Sequence, residues 1–206
     1  MPHLYDLQII GNAVFALTGV LAVNRRGLDI FGGVVLGTVT ALGGGTIRDL
    51  VIAVPVFWLA DPNYLLVAVA TSVIAFFAAK RIASGYQLLL YLDAMGVALV
   101  GVQATENVLG LGHGGAVSVS MGVLSGIGGG LLRDVLAARP TLLMSREIYA
   151  TPILVGCALY AGLRHTTIDR GFTLAIAVAV IFIIRAAAIR WHVQMPSWLT
   201  SRYDPQ

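Results

Sequence analysis

The chain has 206 residues, of which 58% are apolar and 11% charged, with 24 Gly, a mean hydropathy of +0.87 and a formal net charge of +3. A soluble domain carries about a quarter charged residues, so an ordinary water-facing globule is excluded. The bases stand singly or in the doublets Arg25-Arg26 and Lys80-Arg81, which gives no footprint for a phosphate backbone, and no nucleic-acid partner is expected.

In chain order, seven apolar stretches reach or approach the roughly 20 residues that a membrane helix needs. They cover 4–23, 30–54, 63–79, 87–105, 115–137, 148–163 and 171–189, the sixth being short and interrupted by Pro152. The links between them are short and polar or turn-forming: Asn24-Arg25-Arg26-Gly27, Asp61-Pro62-Asn63, Ser84-Gly85, 110–115 and 164–170. The expected fold is therefore an all-α polytopic membrane protein of seven helices, one transmembrane domain over 1–206. A membrane barrel would alternate apolar and polar residues, and these runs are continuous. No basic region precedes the first run, which predicts a retained first helix and not a cleaved signal.

Nine bases outside the helix centres fall on one side of this topology: Arg25, Arg26, Lys80, Arg81, Arg139, Arg146, Arg185, Arg190 and Arg202. Only Arg164 and Arg170 fall on the other. Lys and Arg are retained in the cytoplasm, so the N-terminus is expected outside and the C-terminus inside.

The chain repeats itself. Gly43-Gly44-Gly45-Thr46-Ile47-Arg48-Asp49 returns 85 residues later as Gly128-Gly129-Gly130-Leu131-Leu132-Arg133-Asp134, and Gly37, Pro55 and Tyr64 return as Gly122, Pro140 and Tyr149. The first and fourth helices match less clearly, with Phe15 to Ala22 resembling Val97 to Ala104 at a spacing of 82. Repeat 1 covers about 4–80 and repeat 2 about 87–164, leaving a seventh helix at about 171–189. Three helices per repeat make the second copy enter from the opposite side, an inverted 3+3 repeat whose pathway lies near mid-membrane. Arg185, on the extra helix, is expected to stretch its stem to the cytoplasmic interface.

Three consecutive Gly in a helix interior cost about 1 kcal/mol each relative to Ala. Either they let two helices approach closely, or helices 2 and 5 break there and turn carbonyls toward a hydrated path. The charged pair beyond each triplet favours the second reading, in which Gly43, Gly44, Gly45, Gly128, Gly129 and Gly130 bend the helices around the path. Arg48, Asp49, Arg133 and Asp134 would set its electrostatics and gate it. A charge at such a depth costs at least about 2.5–3.5 kcal/mol unless paired or hydrated. Adjacent residues do not share a helix face, so each Arg is expected to seek a partner other than the Asp beside it. By depth, Arg133 should meet Asp93, whereas Arg48 meets only the neutral Asn12. Gly11, Gly19, Gly96 and Gly101 suit close helix contacts within or between subunits.

The other polar residues call for less. Asp6, Asp29, Asp61, Glu106, Glu147 and Asp169 fall at segment ends, where water explains them. The four His have no metal-ligand spacing, Cys157 suits a buried apolar site, and Ser118, Ser120 and Ser125 have no intramembrane His for a hydrolytic centre. No enzyme, metal site or cofactor is expected. Trp58, Tyr64, Tyr86, Tyr91, Tyr149 and Trp191 suit anchoring at the membrane interface.

Seven helices, an inverted repeat and a doubled GGGxxRD together resemble the TRIC family, the trimeric intracellular cation channels, and the resemblance runs from about Leu7 to Ile189. It implies a homotrimer in lipid, each subunit with its own pore conducting monovalent cations, chiefly potassium, lined by helices 2 and 5. Animal members carry a basic-acidic lipid-binding motif on the second helix. Here Arg48-Asp49 follows the triplet instead, which implies the prokaryotic branch, an inner-membrane location and no carried-over phosphoinositide site. Some bacterial relatives bear a glycine-transporter label. A carrier of a small amino acid such as glycine is thus the alternative, although Thr40, Thr46 and Ser125 are few polar groups for a zwitterion site.

Overall fold

The computed structural model describes residues 2–24, 27, 29–79, 86–145 and 147–196. Arg25, Arg26, Lys80, Arg81, Ser84, Gly85, Arg146 and Arg202, which entered the reading of topology, lie outside the described residues. The elements are α1 Pro2–Val23, α2 Ile30–Val51, a one-turn α3 Phe57–Ala60, α4 Asn63–Ala79, α5 Tyr86–Gly110, α6 Gly115–Leu136, α7 Ala150–Leu163 and α8 Arg170–Trp191. A 3₁₀ turn, Leu142–Met144, precedes α7. The fifth and seventh predicted segments are α6 and α8 here.

Continuous apolar sequence makes these segments helical because a helix satisfies its own backbone where no water is available. Five of them, α1, α2, α5, α6 and α8, are long and apolar enough to cross a membrane. The remaining two apolar helices, α4 with 17 residues and α7 with 14, are shorter. At 1.5 Å per residue α7 is about 21 Å long, less than the roughly 30 Å of hydrocarbon. These two occupy matching places in the repeats, each after a single turn of helix.

Helices α1, α2 and α4 pack together as one bundle and α5, α6 and α7 as another. The bundles join where α2 meets α6 and α1 meets α5, and α8 leans on α5 and α7 outside both. Specific contacts give the directions. Asn24, just past α1, donates to the carbonyl of Ala79 at the end of α4, and the Asn12 amide donates to the carbonyl of Tyr64 at the start of α4. Arg139, just past α6, donates to the carbonyl of Ala22 near the end of α1. Leu21, Ala22 and Val23 cluster there with Leu89 at the start of α5. So α1 and α5 run in opposite senses, and the second bundle is upside down relative to the first.

Small residues set the spacing inside each bundle. A Cβ added to Gly37 would stand 2.9 Å from the Ala16 carbonyl oxygen, and one added to Gly122 would stand 2.7 Å from that of Gly101. On Gly19 it would lie 2.7 Å from the Gly37 Cα, and on Gly96 2.7 Å from the Phe15 ring. These glycines therefore serve contacts within one subunit. Cys157 is fully buried, as an apolar side chain would be.

Candidate functional site

The glycine triplets lie where α2 crosses α6. A Cβ on Gly44 would collide with the carbonyl oxygen of Ser125, one on Gly129 with that of Thr40, and one on Gly128 would stand 3.1 Å from the Gly44 Cα. Two backbones thus touch with no side chain between them. The expectation that helices 2 and 5 are broken here is corrected: α2 runs unbroken from Ile30 to Val51 and α6 from Gly115 to Leu136. An unpaired backbone group in hydrocarbon costs several kcal/mol, so breaking both helices is dearer than keeping them, and close packing uses the missing Cβ atoms. The third glycine of each triplet faces side chains instead, an aromatic ring in the first half and polar groups in the second. A Cβ on Gly45 would meet the Phe57 ring at 2.6 Å, and one on Gly130 would be 3.1 Å from both Asp93 Oδ1 and the Tyr149 hydroxyl.

One turn further, each helix ends in the same device. Arg48 Nε donates to Asp49 Oδ1 at 2.8 Å, and Arg133 Nε to Asp134 Oδ1 at 2.9 Å. The second oxygen of each Asp accepts from the backbone eight residues on: Phe57 N at 2.8 Å from Asp49 and Leu142 N at 3.1 Å from Asp134. Between helix and staple stands an alanine in the left-handed region, Ala53 at φ 55° and Ala138 at φ 44°. Such a residue normally would be Gly, since an L side chain is disfavoured there by about 1–2 kcal/mol. Each aspartate therefore fixes a guanidinium with one oxygen and a turn with the other. The expectation that neighbouring Arg and Asp would avoid each other is corrected. The rule of helix faces describes where Cβ atoms point, whereas a long guanidinium stem at the last turn reaches its neighbour, and a dry site rewards the nearest counter-charge.

The two halves then diverge. Arg133 Nη1 also reaches Asp93 Oδ1 at 2.8 Å, both side chains being 0% exposed. Arg185 lies over the Tyr149 ring at 4.7 Å and donates to the Ile148 carbonyl at 2.7 Å. Two arginines and two aspartates balance in this cluster, as buried charges must. Arg185 is 1% exposed, so the expectation that it extends to the interface is corrected: a partner ring and carbonyl within reach hold it inside. In the first half, Gln8 stands 85 residues before Asp93 and accepts from the Tyr64 hydroxyl at 2.9 Å. Arg48 has only Asp49 as an ion-pair partner among the described residues and lies 5.7 Å from the Phe57 ring centre.

Arg48 also separates two spaces. Toward the end where α1 begins, a vestibule of about 350 Å³ is lined by Arg48, Asp49, Pro55, Phe57 and Asn107 among others. Deeper between α1, α2 and α5 lies a narrow cavity of about 20 Å³, lined by Gln8, Asn12, Gly45, Arg48, Phe57 and Gln103 among others. Arg48 and Phe57 border both.

Several participants were not singled out from sequence: Gln8, Phe57, Gln103 and the inward roles of Tyr64, Tyr149 and Arg185. Tyr64 and Tyr149 are 6% and 4% exposed, inside the protein and away from an interface, because each has polar neighbours for its ring or hydroxyl. Carrying the spacing of 85 into the first helix, in place of 82, pairs Gln8 with Asp93 and Gly11 with Gly96 and would have exposed the first. Glu106 is likewise not a solvated end group. It is 7% exposed and pairs with Arg164 Nε at 2.9 Å, and this hydrogen bond raises the Arg164 pKa above its ordinary value.

Two inverted three-helix bundles, an eighth helix outside them and a buried Arg-Asp staple closing each glycine-rich helix define a polytopic membrane protein built by duplication. The family model described as "Glycine transporter" matches it twice, over residues 5–80 and 90–165. The chain belongs to this family, that of the TRIC channels. It is similar to the structure of the trimeric intracellular cation channel orthologue from Rhodobacter sphaeroides, with a TM-score of 0.90, 39% identity and coverage of 94% of this chain and 100% of that one. The structure of a prokaryotic TRIC channel in 0.5 M KCl is similar at a TM-score of 0.84 and 30% identity, covering 92% of this chain and 96% of the other. The UPF0126 inner membrane protein YadS of Escherichia coli K12 is 39% identical over 202 residues, 94% of this chain and 95% of its own. These structural neighbours are channels, not enzymes.

Proposed function

We propose that the protein is a monovalent cation channel, chiefly for potassium, working as a homotrimer with one path per subunit. The path runs through the first bundle past Gly45, Arg48 and Asp49 toward the α2–α6 crossing. The observation that carries the reading is the position of Arg48: it borders both a vestibule and a narrower cavity with three amide side chains in its wall, latched to Asp49 at 2.6 Å. A bare guanidinium 4 Å from a permeating cation would oppose it by about 4 kcal/mol at an effective dielectric of 20. Paired with Asp49 it presents a dipole, and swung aside it leaves an opening. Arg133, Asp134 and Asp93 form the corresponding closure at the other end of the molecule. Gly43, Gly44, Gly128 and Gly129 hold α2 and α6 together between the two. The distribution of bases supports an N-terminus outside the cell and a cytoplasmic C-terminus in a prokaryotic inner membrane.

The test is recording from purified protein in planar bilayers with potassium on both sides. Discrete unitary currents are expected, and Asp49→Asn, which loosens the latch, is expected to raise the open probability. Saturable glycine uptake into vesicles with no unitary current would overturn the channel in favour of a carrier.

A further inference from the structure

The narrow cavity behind Arg48 has a chemistry of its own. Asn12 is 4% exposed, and its Nδ2 donates to the Tyr64 carbonyl at 2.7 Å. A carbonyl only accepts, so the amide cannot be turned the other way round. Its Oδ1 is thereby fixed on the opposite side, buried and with no hydrogen-bond partner among the described residues. Gln8 lies one helical turn earlier on the same face, and its Oε1, held by the Tyr64 hydroxyl, retains a second lone pair. Gln103 of α5 lines the cavity from across. The volume of about 20 Å³ is that of about one water or one small ion.

We propose that this cavity is a station for a single monovalent cation, coordinated by Asn12 and Gln8 of α1 and Gln103 of α5. The proposal rests on the channel reading and names its coordinating residues. An unpaired, buried amide oxygen attracts a cation or a hydrogen-bond donor and repels an anion. Rings of neutral oxygen dipoles can replace part of an alkali ion's hydration shell. Among the described residues no carboxylate lines the cavity, whereas a hard divalent ion draws on carboxylates. Phe57 and Arg48, whose guanidinium is paired with Asp49, stand on the side shared with the vestibule. The station belongs to the first half alone. The residues 85 positions after Gln8 and Asn12 are Asp93, a charged carboxylate ion-paired through Oδ1 to Arg133 in place of a neutral amide, and Val97, which is fully buried and apolar.

The decisive measurement is anomalous diffraction from crystals of the intact protein grown with thallium(I) in place of potassium. An anomalous peak in coordination range of Asn12 Oδ1 is expected, lost in Asn12→Leu. In bilayers, Asn12→Leu should weaken potassium occupancy on the order of tenfold, as loss of one charge-assisted contact implies, and shift the potassium-to-sodium permeability ratio. Asn12→Ser, smaller and still carrying an oxygen, should shift that ratio less and covers the case in which leucine prevents folding. Water alone at this position in thallium crystals, with the wild-type ratio kept by both variants, would overturn the station and leave the channel standing. A thallium peak there in a protein that gives no unitary current would uphold the station and overturn the channel.

Discussion

Asp93 is a single carboxylate that makes two otherwise matching half-sites chemically different. Arg133 divides its guanidinium between Asp93 and Asp134, all three at most 4% exposed at the side chain. In the first half the matching position holds Gln8, so among the described residues Arg48 has only Asp49 as an ion-pair partner. Breaking a buried pair by removing one partner costs about 3–5 kcal/mol, because a desolvated charge is left behind. Asp93→Ala should therefore lower thermal stability in detergent far more than Gln8→Ala. A double-mutant cycle of Asp93→Ala with Arg133→Met should give a coupling of about 1–3 kcal/mol. Additive effects would mean that the 2.8 Å contact contributes nothing.

At the level of helices, one pattern has two readings. A run of three glycines lowers helix propensity, yet it also removes the side chains that keep helices apart. Which effect wins depends on what stands opposite, and here it is a carbonyl of the other glycine-rich helix. Gly44→Ala and Gly129→Ala should each destabilise the protein by about 1–3 kcal/mol, since neither backbone can withdraw without opening the crossing. Gly115→Ala, where an added Cβ meets nothing within 4 Å, should stay within about 0.5 kcal/mol. Heat-induced loss of the monodisperse species in size-exclusion chromatography would compare the three, and equal losses would remove the packing account of the triplets.

For the whole molecule, duplication and inversion put the two Arg-Asp staples at opposite ends and the glycine crossing between them. Three-helix bundles of this kind leave much apolar surface for lipid or for other subunits, with Phe31 75%, Leu50 66% and Ile74 68% exposed. A trimer is the expected assembly, and light scattering in detergent, corrected for bound detergent, should return three times the 21.7 kDa chain mass. A monomeric mass with currents intact would separate conduction from assembly. Cysteine labelling at residue 113 from outside and at residue 192 from inside should follow the orientation implied by the bases, and the reverse pattern would invert it.

The amino-acid sequence by itself determined that lipid is the solvent, that the chain is helical, and that it is doubled with the second copy inverted. Composition, continuous apolar runs and a repeated motif are local properties, and each has one physical outcome in a bilayer. It also placed Asp93 and Arg133 at one depth, which the fold brings together. The tertiary structure decided the matters that depend on what lies across a gap. Packing, not breakage, was chosen for the glycines because another backbone fills the space, and Arg185 turned inward because Tyr149 and the Ile148 carbonyl wait there. Asn12 became a pointed acceptor only because a carbonyl of α4 claims its nitrogen.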